Sequence, residues 1–406
     1  MNPRMLQRGN FVAEPDTDTS SSTLMRFGAW MGRTVSGNNI AHAFLLSAMS
    51  ACCLDALAQT NAPMPVRQPA PATMDTPAPA PSAPLLASPG KPLYAAPGKF
   101  VVGQQDFALL DGDATIPVTA FYPVVDATPD SAHGPYPLVV FSPGLGSSVD
   151  PYIRLLKPIA SHGFVILAWA PRGESGPEFW AGAATRPLDL QRIIRYADVL
   201  TAPGGRLAGL IDTRHIAVAG HSSGGWTALM GGGARMDLDW CAHPDPAVKP
   251  ADGNCPQFVS HQSDIAAMLG LHPTPTGLWP QMSDPRVAAV IAMSPDGDLW
   301  GADYAGVTAL KVPTLIMAGS DDHTNDPRFC AYPIYQHLGS AQKALVVFEH
   351  GNHNLGWDTY SDQIKHLMTA FLLARLKGDP EAAKALLPAN VVFDGVSYET
   401  TASHPE

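Results

Sequence analysis

The stretch from Ile216 to Trp226 constrains the fold of this chain more than any other. The apolar run Ile216–Ala219 leads directly into Gly220–Gly225, a Gly-His-Ser-Ser-Gly-Gly segment. Such a run is typical of a buried β-strand, and glycines on both sides of a serine allow neighbouring backbones to approach closely. A strand that enters a Gly-Xaa-Ser-Xaa-Gly turn and continues as a helix holds the serine hydroxyl outwards. Ser222 is therefore the candidate nucleophile.

Apolar runs that predict buried strands recur on both sides of this turn and alternate with segments of helical periodicity. A predicted antiparallel hairpin precedes them. Alternating strands and helices predict an α/β fold with a mostly parallel central sheet flanked by helices, and with an insertion, residues 236–283, after the nucleophile helix. The predicted strands are 100–110, 116–125, 137–142, 163–169, 214–219, 287–293, 314–318 and 344–348, and the predicted helices are 152–162, 188–200, 226–235 and 360–376.

The ends of two later strands offer the partners that a serine nucleophile needs. In parallel sheets, catalytic groups collect just past the carboxyl ends of the strands. Asp322 follows the predicted strand 314–318, and His353 follows 344–348. A hydroxyl needs an imidazole to accept its proton, and the imidazole needs a carboxylate to fix its tautomer. We predict His353 as the base and Asp322 as its orienting acid.

Other residues offer alternatives for both partners. One aspartate is adjacent to Asp322, and two more follow the preceding predicted strand. A second histidine sits at the end of the strand before His353, where the loop has not yet turned, so it is the weaker candidate. These alternatives are Asp321, Asp296 and Asp298 for the acid and His350 for the base.

Two backbone amides are candidates for an oxyanion hole. The negative charge that develops on a tetrahedral intermediate must meet donors that are already in place. The amide of Ser223 is one candidate donor, because in such a turn the amide of the residue after the nucleophile points towards the oxyanion. The amide of Leu145, in the Pro-Gly-Leu-Gly turn 143–146 after a predicted strand, is the second. An ordinary tight turn is the alternative interpretation of that segment.

Large aromatic residues are candidates for the substrate pocket, because such side chains dominate small-molecule sites. The candidates are Trp357, four residues after His353, together with Trp169 and Trp226. Aromatic residues in buried strands more often belong to the core. The insertion 236–283 is a candidate partial lid, with a surface excursion as the alternative.

The amino-terminal region predicts export. An apolar run over about 43–54, too short to span a membrane, is preceded by arginines and ends in Ala56-Leu57-Ala58, which suits a signal peptidase. We therefore expect a leader with a signal peptide over 1–58. The alternatives are a lipid anchor at Cys52 or a buried helix. Residues 59–98 are rich in Pro and Ala and predict an extended linker, so the catalytic domain is expected over 99–406.

Three cysteines remain if the leader is removed, and an exported chain can keep disulfides. Cys241 and Cys255 flank a loop rich in Pro, Asp and Gly, so we predict that they pair. Cys330 is then the odd one, and we expect it to be buried.

Composition excludes some classes of function. The net charge of −11 argues against binding to nucleic acid or to an anionic membrane surface. A metal hydrolase would need spaced ligands, and the chain has neither a His-Glu-Xaa-Xaa-His helix nor a Cys-rich cage. We therefore expect no cofactor and no metal. A non-catalytic binding protein with the same fold stays open, because fold does not fix function.

These motifs together resemble the α/β-hydrolase superfamily, and more narrowly its dienelactone hydrolase-like and platelet-activating-factor acetylhydrolase-like serine esterases. The resemblance covers about residues 99–376 and rests on the segments 141–146, 186–189, 220–225 and 284–287. It implies a serine hydrolase with the triad Ser222, Asp322 and His353, acting on a small-molecule, lipid or polymeric ester.

Three departures from these families matter. Pro143 stands where acetylhydrolases have His, and acetylhydrolases can place the acid after the earlier strand, which keeps Asp296 open. Dienelactone hydrolases proper use a cysteine nucleophile, whereas this chain has Ser222.

Overall fold

The computed structural model describes residues 90–112, 114–172, 178–242 and 255–401. The predicted leader 1–58, with the candidate anchor Cys52, lies outside the described residues. So do residues 59–89 of the predicted linker and residues 243–254 of the predicted insertion.

Most elements form where the apolar patterns predict them. The strands of the described residues are β1 Val101–Asp111, β2 Ala114–Val125, β3 Thr128–Pro129, β4 Tyr136–Ser142, β5 Val165–Trp169, β6 Ile211–His221, β7 Val287–Met293, β8 Thr314–Gly319, β9 Lys343–Phe348 and β10 Val396–Thr400. The helices are α1 Ile153–Ala160, α2 Gly182–Thr201, α3 Ser223–Gly231, α4 Asp239–Ala242, α5 Cys255–Ser260, α6 Gln262–Met268, α7 Ala331–His337, α8 Trp357–Leu376 and α9 Pro380–Ala385. Short 3₁₀ segments lie at Asp150–Tyr152, Phe179–Ala181 and Ala302–Ala309.

The strands form one mostly parallel sheet, which confirms the predicted fold class. Its order is β1-β2-β5-β4-β6-β7-β8-β9-β10, with β3 paired to β2. The six strands from β5 to β9 in this order run parallel to their neighbours. The outer strands β1, β2 and β10 are antiparallel. The carboxyl ends of β4, β6, β7, β8 and β9 therefore meet at one edge of the sheet, with β6 near its middle.

Helices cover both faces of the sheet, and β6 shows why its sequence is apolar throughout. Ile216 and Val218 pack into the core under α2 and α3. Ala217 and Ala219 pack into the core under α1 and α8. Because successive side chains of a strand point to opposite faces, a strand covered on both sides needs apolar residues at every position.

Several boundaries differ by a few residues from the sequence prediction; α3, for example, was predicted over 226–235 and is observed over Ser223–Gly231. Two differences are larger. Helix α2 begins at Gly182 and continues through Pro187, whereas proline suggested a later start. Its first turn is buried, so packing stabilises a turn that local propensity disfavours. Residues 90–98, assigned to the linker, pack on the domain: the Tyr94 amide donates to His366 Nδ1 (3.1 Å) and Ala95 is buried. The folded domain thus includes residues from Gly90 onwards.

The insertion is attached to the domain at several points. Cys241 and Cys255 form the predicted disulfide, with their Cα atoms 5.1 Å apart. Arg235 donates to the carbonyls of Leu278 and Trp279, which closes the far end of the insertion. Cys330 is buried and is not part of a disulfide among the described residues. Within the described residues, no helix combines the length and the apolar character needed to cross a membrane.

Candidate active site

Ser222 lies on a sharp turn between β6 and α3. Its backbone has φ 57° and ψ −125°, a left-handed conformation that costs free energy for any residue except glycine. The Ser222 amide donates to the Met293 carbonyl (2.9 Å), which ties the turn to β7. A Cβ at Gly220 would clash with the Gly224 carbonyl, and one at Gly224 would clash with Ser142. The glycines of the motif are therefore required by the close approach of three backbone segments.

His353 and Asp322 form a hydrogen-bonded pair at the edge where β8 and β9 end. His353 Nδ1 lies 2.9 and 3.1 Å from the two carboxylate oxygens. One of these oxygens also accepts the backbone amides of Thr324 and Asn325, each at 2.9 Å. An ionised carboxylate can only accept, so Nδ1 carries the proton and Nε2 is left as the basic atom. This is the tautomer that a general base next to a serine requires.

The Asp322 carboxylate is buried and yet stabilised as an anion. Burial by itself raises the pKa of Asp322, but the hydrogen bonds from His353 and from the amides of Asn325 and Thr324 outweigh it, so the pKa lies below its usual value. Hydrogen bonds to the charged form favour ionisation. Asp322 therefore stays negative at neutral pH and can stabilise a positive charge on His353.

A histidine of the elbow motif connects the base to the nucleophile turn. The side chain of His221 is buried, and its Nε2 lies 2.8 Å from the His353 carbonyl oxygen. The rings of these two histidines are 4.8 Å apart. His353 is thus held beside the residue that directly precedes Ser222.

The turn that carries Leu145 lies over the elbow and is held from two sides. A Cβ at Gly144 would be 3.5 Å from Ser222 Cβ, so this turn and the nucleophile are in close contact. Arg186, buried in α2, donates to the Pro143 carbonyl (2.9 Å). The Gly144 amide donates to the Tyr152 hydroxyl (3.2 Å), which in turn lies 2.9 Å from His221 Nδ1. Sequence reasoning assigned no function to Tyr152 or to Arg186.

The alternative acids and base lie elsewhere. Asp321 and His350 form their own pair (3.1 Å) on the surface, with both side chains exposed. Asp296 accepts the Asp298 amide and lines a cavity, while His353 pairs with Asp322. Of the residues weighed from the sequence, the structure brings Asp322 and His353 together, and Asp321 pairs with His350 instead.

Two cavities flank the candidate site. The first, about 60 Å³, is lined by Leu145, Ser223 and Trp226, and also by Phe179, Phe258 and Asp296. The second, about 320 Å³, is lined by Tyr152, His221, Asn354 and Trp357, with Arg154 at its edge. The Arg154 guanidinium stacks 4.5 Å above the Trp357 ring. The first cavity therefore lies beside the two candidate oxyanion amides, and the second lies beside His221 and the residue after His353.

The three candidate tryptophans have different surroundings. Trp226 lines the first cavity and Trp357 lines the second. Trp169 lines neither of these two cavities: it is completely buried in the core under α2 and α3, because β5 is covered on both faces. Its assignment to the substrate pocket is therefore corrected to a core role.

The insertion contributes to the wall of the first cavity. Phe258 of α5 lines that cavity and packs edge-to-face on Phe179, with 5.4 Å between ring centroids. His261 stacks on Trp180 at 4.1 Å, with the rings nearly parallel. Two aromatic pairs thus connect the insertion to the segment that precedes α2.

Among the described residues, no three His, Cys, Asp or Glu side chains are grouped so that they could hold a metal ion. The chemistry that this site offers is that of a serine, an imidazole, a carboxylate and backbone amides.

Two family models match parts of this chain. The sequence model of the alpha/beta hydrolase family matches residues 139–364, a span from β4 into α8 that contains the elbow, the Asp322 loop and the His353 loop. The model of platelet-activating factor acetylhydrolase, isoform II, matches residues 95–181, which include the turn with Leu145. No curated protein matches the chain.

Proposed function

The chain belongs to the alpha/beta hydrolase family and is a hydrolase, and from this premise we propose that it cleaves carboxylic esters through an acyl-enzyme intermediate. The observation that carries the proposal is the buried, ionised Asp322 on His353 Nδ1, beside a serine on a strained strand-to-helix turn. An acid that fixes the tautomer of a base next to a strained serine has a clear catalytic use.

Each group has a definite role in the proposed reaction. Ser222 Oγ attacks the ester carbonyl carbon while His353 Nε2 takes its proton, and the amides of Leu145 and Ser223 donate to the oxyanion. When the tetrahedral intermediate collapses, the C–O bond to the alcohol breaks and His353 returns the proton to the leaving oxygen. Water, activated by His353, then hydrolyses the acyl-enzyme and releases the acid and free Ser222.

The two cavities support a preference for small acyl groups and large alcohols. The leaving oxygen must lie on the side of His353, because that residue protonates it, and the roomier cavity with Trp357 lies there. The acyl group then occupies the cavity with Trp226, about 60 Å³, where a single water would need about 10–15 Å³. This space suits a short acyl chain.

Covalent labelling tests the chemistry. A fluorophosphonate should label the wild-type protein at Ser222, and Ser222→Ala should abolish both labelling and ester hydrolysis. Ser223→Ala is the matched control, because it keeps the backbone amide that the mechanism uses. A folded wild-type protein that is neither labelled nor active on esters would contradict the proposal and favour a non-catalytic binding protein.

Isomeric esters test the proposed preference. Benzyl acetate and methyl phenylacetate have the same atoms but exchange the sizes of the acyl and alcohol parts. We expect a higher kcat/KM for benzyl acetate. An equal or reversed preference would show that the cavities are assigned wrongly, while leaving the serine chemistry intact.

One narrower activity has specific support. The match of residues 95–181 to the acetylhydrolase model favours an acetyl ester of a bulky, lipid-like alcohol as the substrate. Phospholipid acetyl esters, longer-chain phospholipids and a polyester film distinguish an acetylhydrolase from a phospholipase and from a polyester hydrolase.

The proposal includes export. The Cys241–Cys255 disulfide supports an oxidising compartment, in agreement with the signal-peptide pattern over 1–58. The mature chain should begin near Gln59 and contain one cysteine outside a disulfide, Cys330. A mature chain that begins with lipid-modified Cys52 would indicate an anchored protein instead. A full-length chain in the cytosol would contradict export.

A further inference from the structure

Hydrogen bonds join the two halves of the candidate site through Tyr152 and His221. The series runs from the Gly144 amide to the Tyr152 hydroxyl (3.2 Å), from that hydroxyl to His221 Nδ1 (2.9 Å), and from His221 Nε2 to the His353 carbonyl (2.8 Å). It therefore begins in the turn that offers an oxyanion amide and ends on the backbone of the base.

The direction of each bond follows from the inventory of donors. The His353 carbonyl can only accept, so His221 Nε2 carries a proton. The imidazole is neutral, because burial lowers the pKa of His221 to about 4, and its Nδ1 is then a pure acceptor. The Tyr152 hydroxyl must donate to Nδ1, which leaves its oxygen to accept the Gly144 amide. Every donor in the series has one acceptor, so the arrangement has a single fixed direction.

We infer that Tyr152 and His221 are positioning residues, which hold the turn of Leu145 and the loop of His353 at a fixed separation around Ser222. The inference rests on the proposed function. We call the series of hydrogen bonds from Gly144 to His353 the Tyr152–His221 relay. Both side chains also line the second cavity, but in this role each acts through the backbone of a group that contacts the substrate.

Catalysis should be sensitive to this separation. An oxyanion donor stabilises the transition state only if it lies at hydrogen-bond distance from the oxyanion, and its loss costs about 10²–10³ in kcat. Without the relay the Leu145 amide would still be present but would be less well placed. We therefore expect a lower kcat and a nearly unchanged KM, because the ground-state carbonyl depends less on these amides than the oxyanion does.

The first test is Tyr152→Phe, which removes the hydroxyl and keeps the ring that packs on Phe141. We expect kcat to fall by about 10- to 100-fold with KM changed by less than about threefold. The affinity for a trifluoromethyl ketone, whose adduct with Ser222 carries an oxyanion, should fall in parallel. Tyr398→Phe is the matched control: it also removes one tyrosine hydroxyl that donates a hydrogen bond, in this case to the Leu386 carbonyl, and should leave both quantities unchanged.

Two conservative variants separate the halves of the relay. In His221→Gln the side-chain amide can still donate to the His353 carbonyl, whereas in His221→Asn the side-chain oxygen can still accept from Tyr152. Adding Tyr152→Phe to His221→Gln should therefore lower kcat little further, because the bond from Tyr152 to residue 221 is already missing there. Adding it to His221→Asn should lower kcat by nearly as much as it does in the wild-type protein. Such non-additivity identifies residues that act through one network.

The outcomes distinguish the relay from the proposed function. If the wild-type protein hydrolyses no ester, the proposed function fails and the catalytic role of the relay fails with it. If the wild-type protein is active but Tyr152→Phe matches Tyr398→Phe in kcat and in inhibitor affinity, the relay alone is overturned. A loss of Tyr152→Phe activity that appears only in KM, or that follows a lower Tm, would also overturn it.

Discussion

Two aspartate–histidine pairs lie side by side on the same two loops and differ almost only in burial. Asp322 and His353 are 2.9 Å apart, with 0% and 23% of their side chains exposed. Asp321 and His350 are 3.1 Å apart, with 50% and 81% exposed. The residue types, the loops and the distances are nearly the same, so the contrast isolates the effect of solvent.

Solvent decides what each pair can do. Water screens the exposed pair and competes for its hydrogen bonds, and such pairs contribute little to stability. The buried carboxylate has exchanged water for two backbone amides and one imidazole, so its charge acts on His353 without competition from water. A fixed charge in a water-poor site is what a transition state with a developing imidazolium needs.

The largest expected difference between the pairs is catalytic. Asp322→Asn should lower kcat by about 10⁴-fold, because an amide can donate to Nδ1 and thereby favour the wrong tautomer of His353. Asp321→Asn is the matched control and should leave kcat unchanged. The measurement is kcat of both variants with a short-chain p-nitrophenyl ester. If Asp296→Asn causes the large loss instead, the acid is assigned to the wrong loop.

The contrast between buried and exposed groups also predicts acid sensitivity. Burial lowers the pKa of His221 and of His366 to about 4, whereas an unfolded histidine has a pKa of about 6.5. Between these values the unfolded chain binds protons that the folded chain does not. The contribution of these two histidines to the free energy of unfolding is therefore complete above pH 6.5. It decreases as the pH drops to about 4 and does not decrease further below that pH. Each histidine accounts for about 3 kcal/mol.

His366→Asn isolates one half of this effect. Asparagine keeps an acceptor for the Tyr94 amide but does not titrate. Urea unfolding at pH 7 and at pH 4.5 should show a smaller loss of stability in the variant than in the wild-type protein. An equal loss in both proteins would mean that His366 is protonated in the folded state at pH 4.5.

The sequence could predict the two loops but not which pair is buried. Asp321 and Asp322 follow the same strand, and which of them turns inwards depends on how the loop packs, for example on the hydrogen bond from Asn325 to the residue after β7. The fold itself was predictable, because runs of buried strand residues alternate with helices along the whole domain. Tyr152 carried no signal, since a tyrosine at the start of a helix is ordinary until its distant partners are known. The polar edge strand β10, with only partial burial, carried little signal either.

Removing a side-chain hydrogen bond that holds each aspartate loop should have effects of intermediate size on stability and kcat. Asn325 Nδ2 donates to the Ser294 carbonyl (2.8 Å) and holds the Asp322 loop against β7. Asn325→Ala keeps the backbone amide that Asp322 accepts but releases this tether, so we expect about 1 kcal/mol lower stability and a several-fold lower kcat. Ser320→Ala removes the matching tether of the exposed pair, a hydroxyl bonded to Asp321 and to the His350 amide. If both variants lose activity equally, the tether on Asn325 is not what positions the acid.

The smallest effect should come from the exposed pair itself. The hydrogen bonds from Ser320 and His350 hold the pKa of Asp321 below its usual value. However, both partners stay solvated, and the free energy gained on pairing is close to that lost in ordering two side chains. The double variant Asp321→Asn, His350→Gln should therefore show the wild-type Tm at low and at high salt. A clear, salt-dependent decrease in Tm would mean that the surface pair is coupled to the buried one through the shared loops.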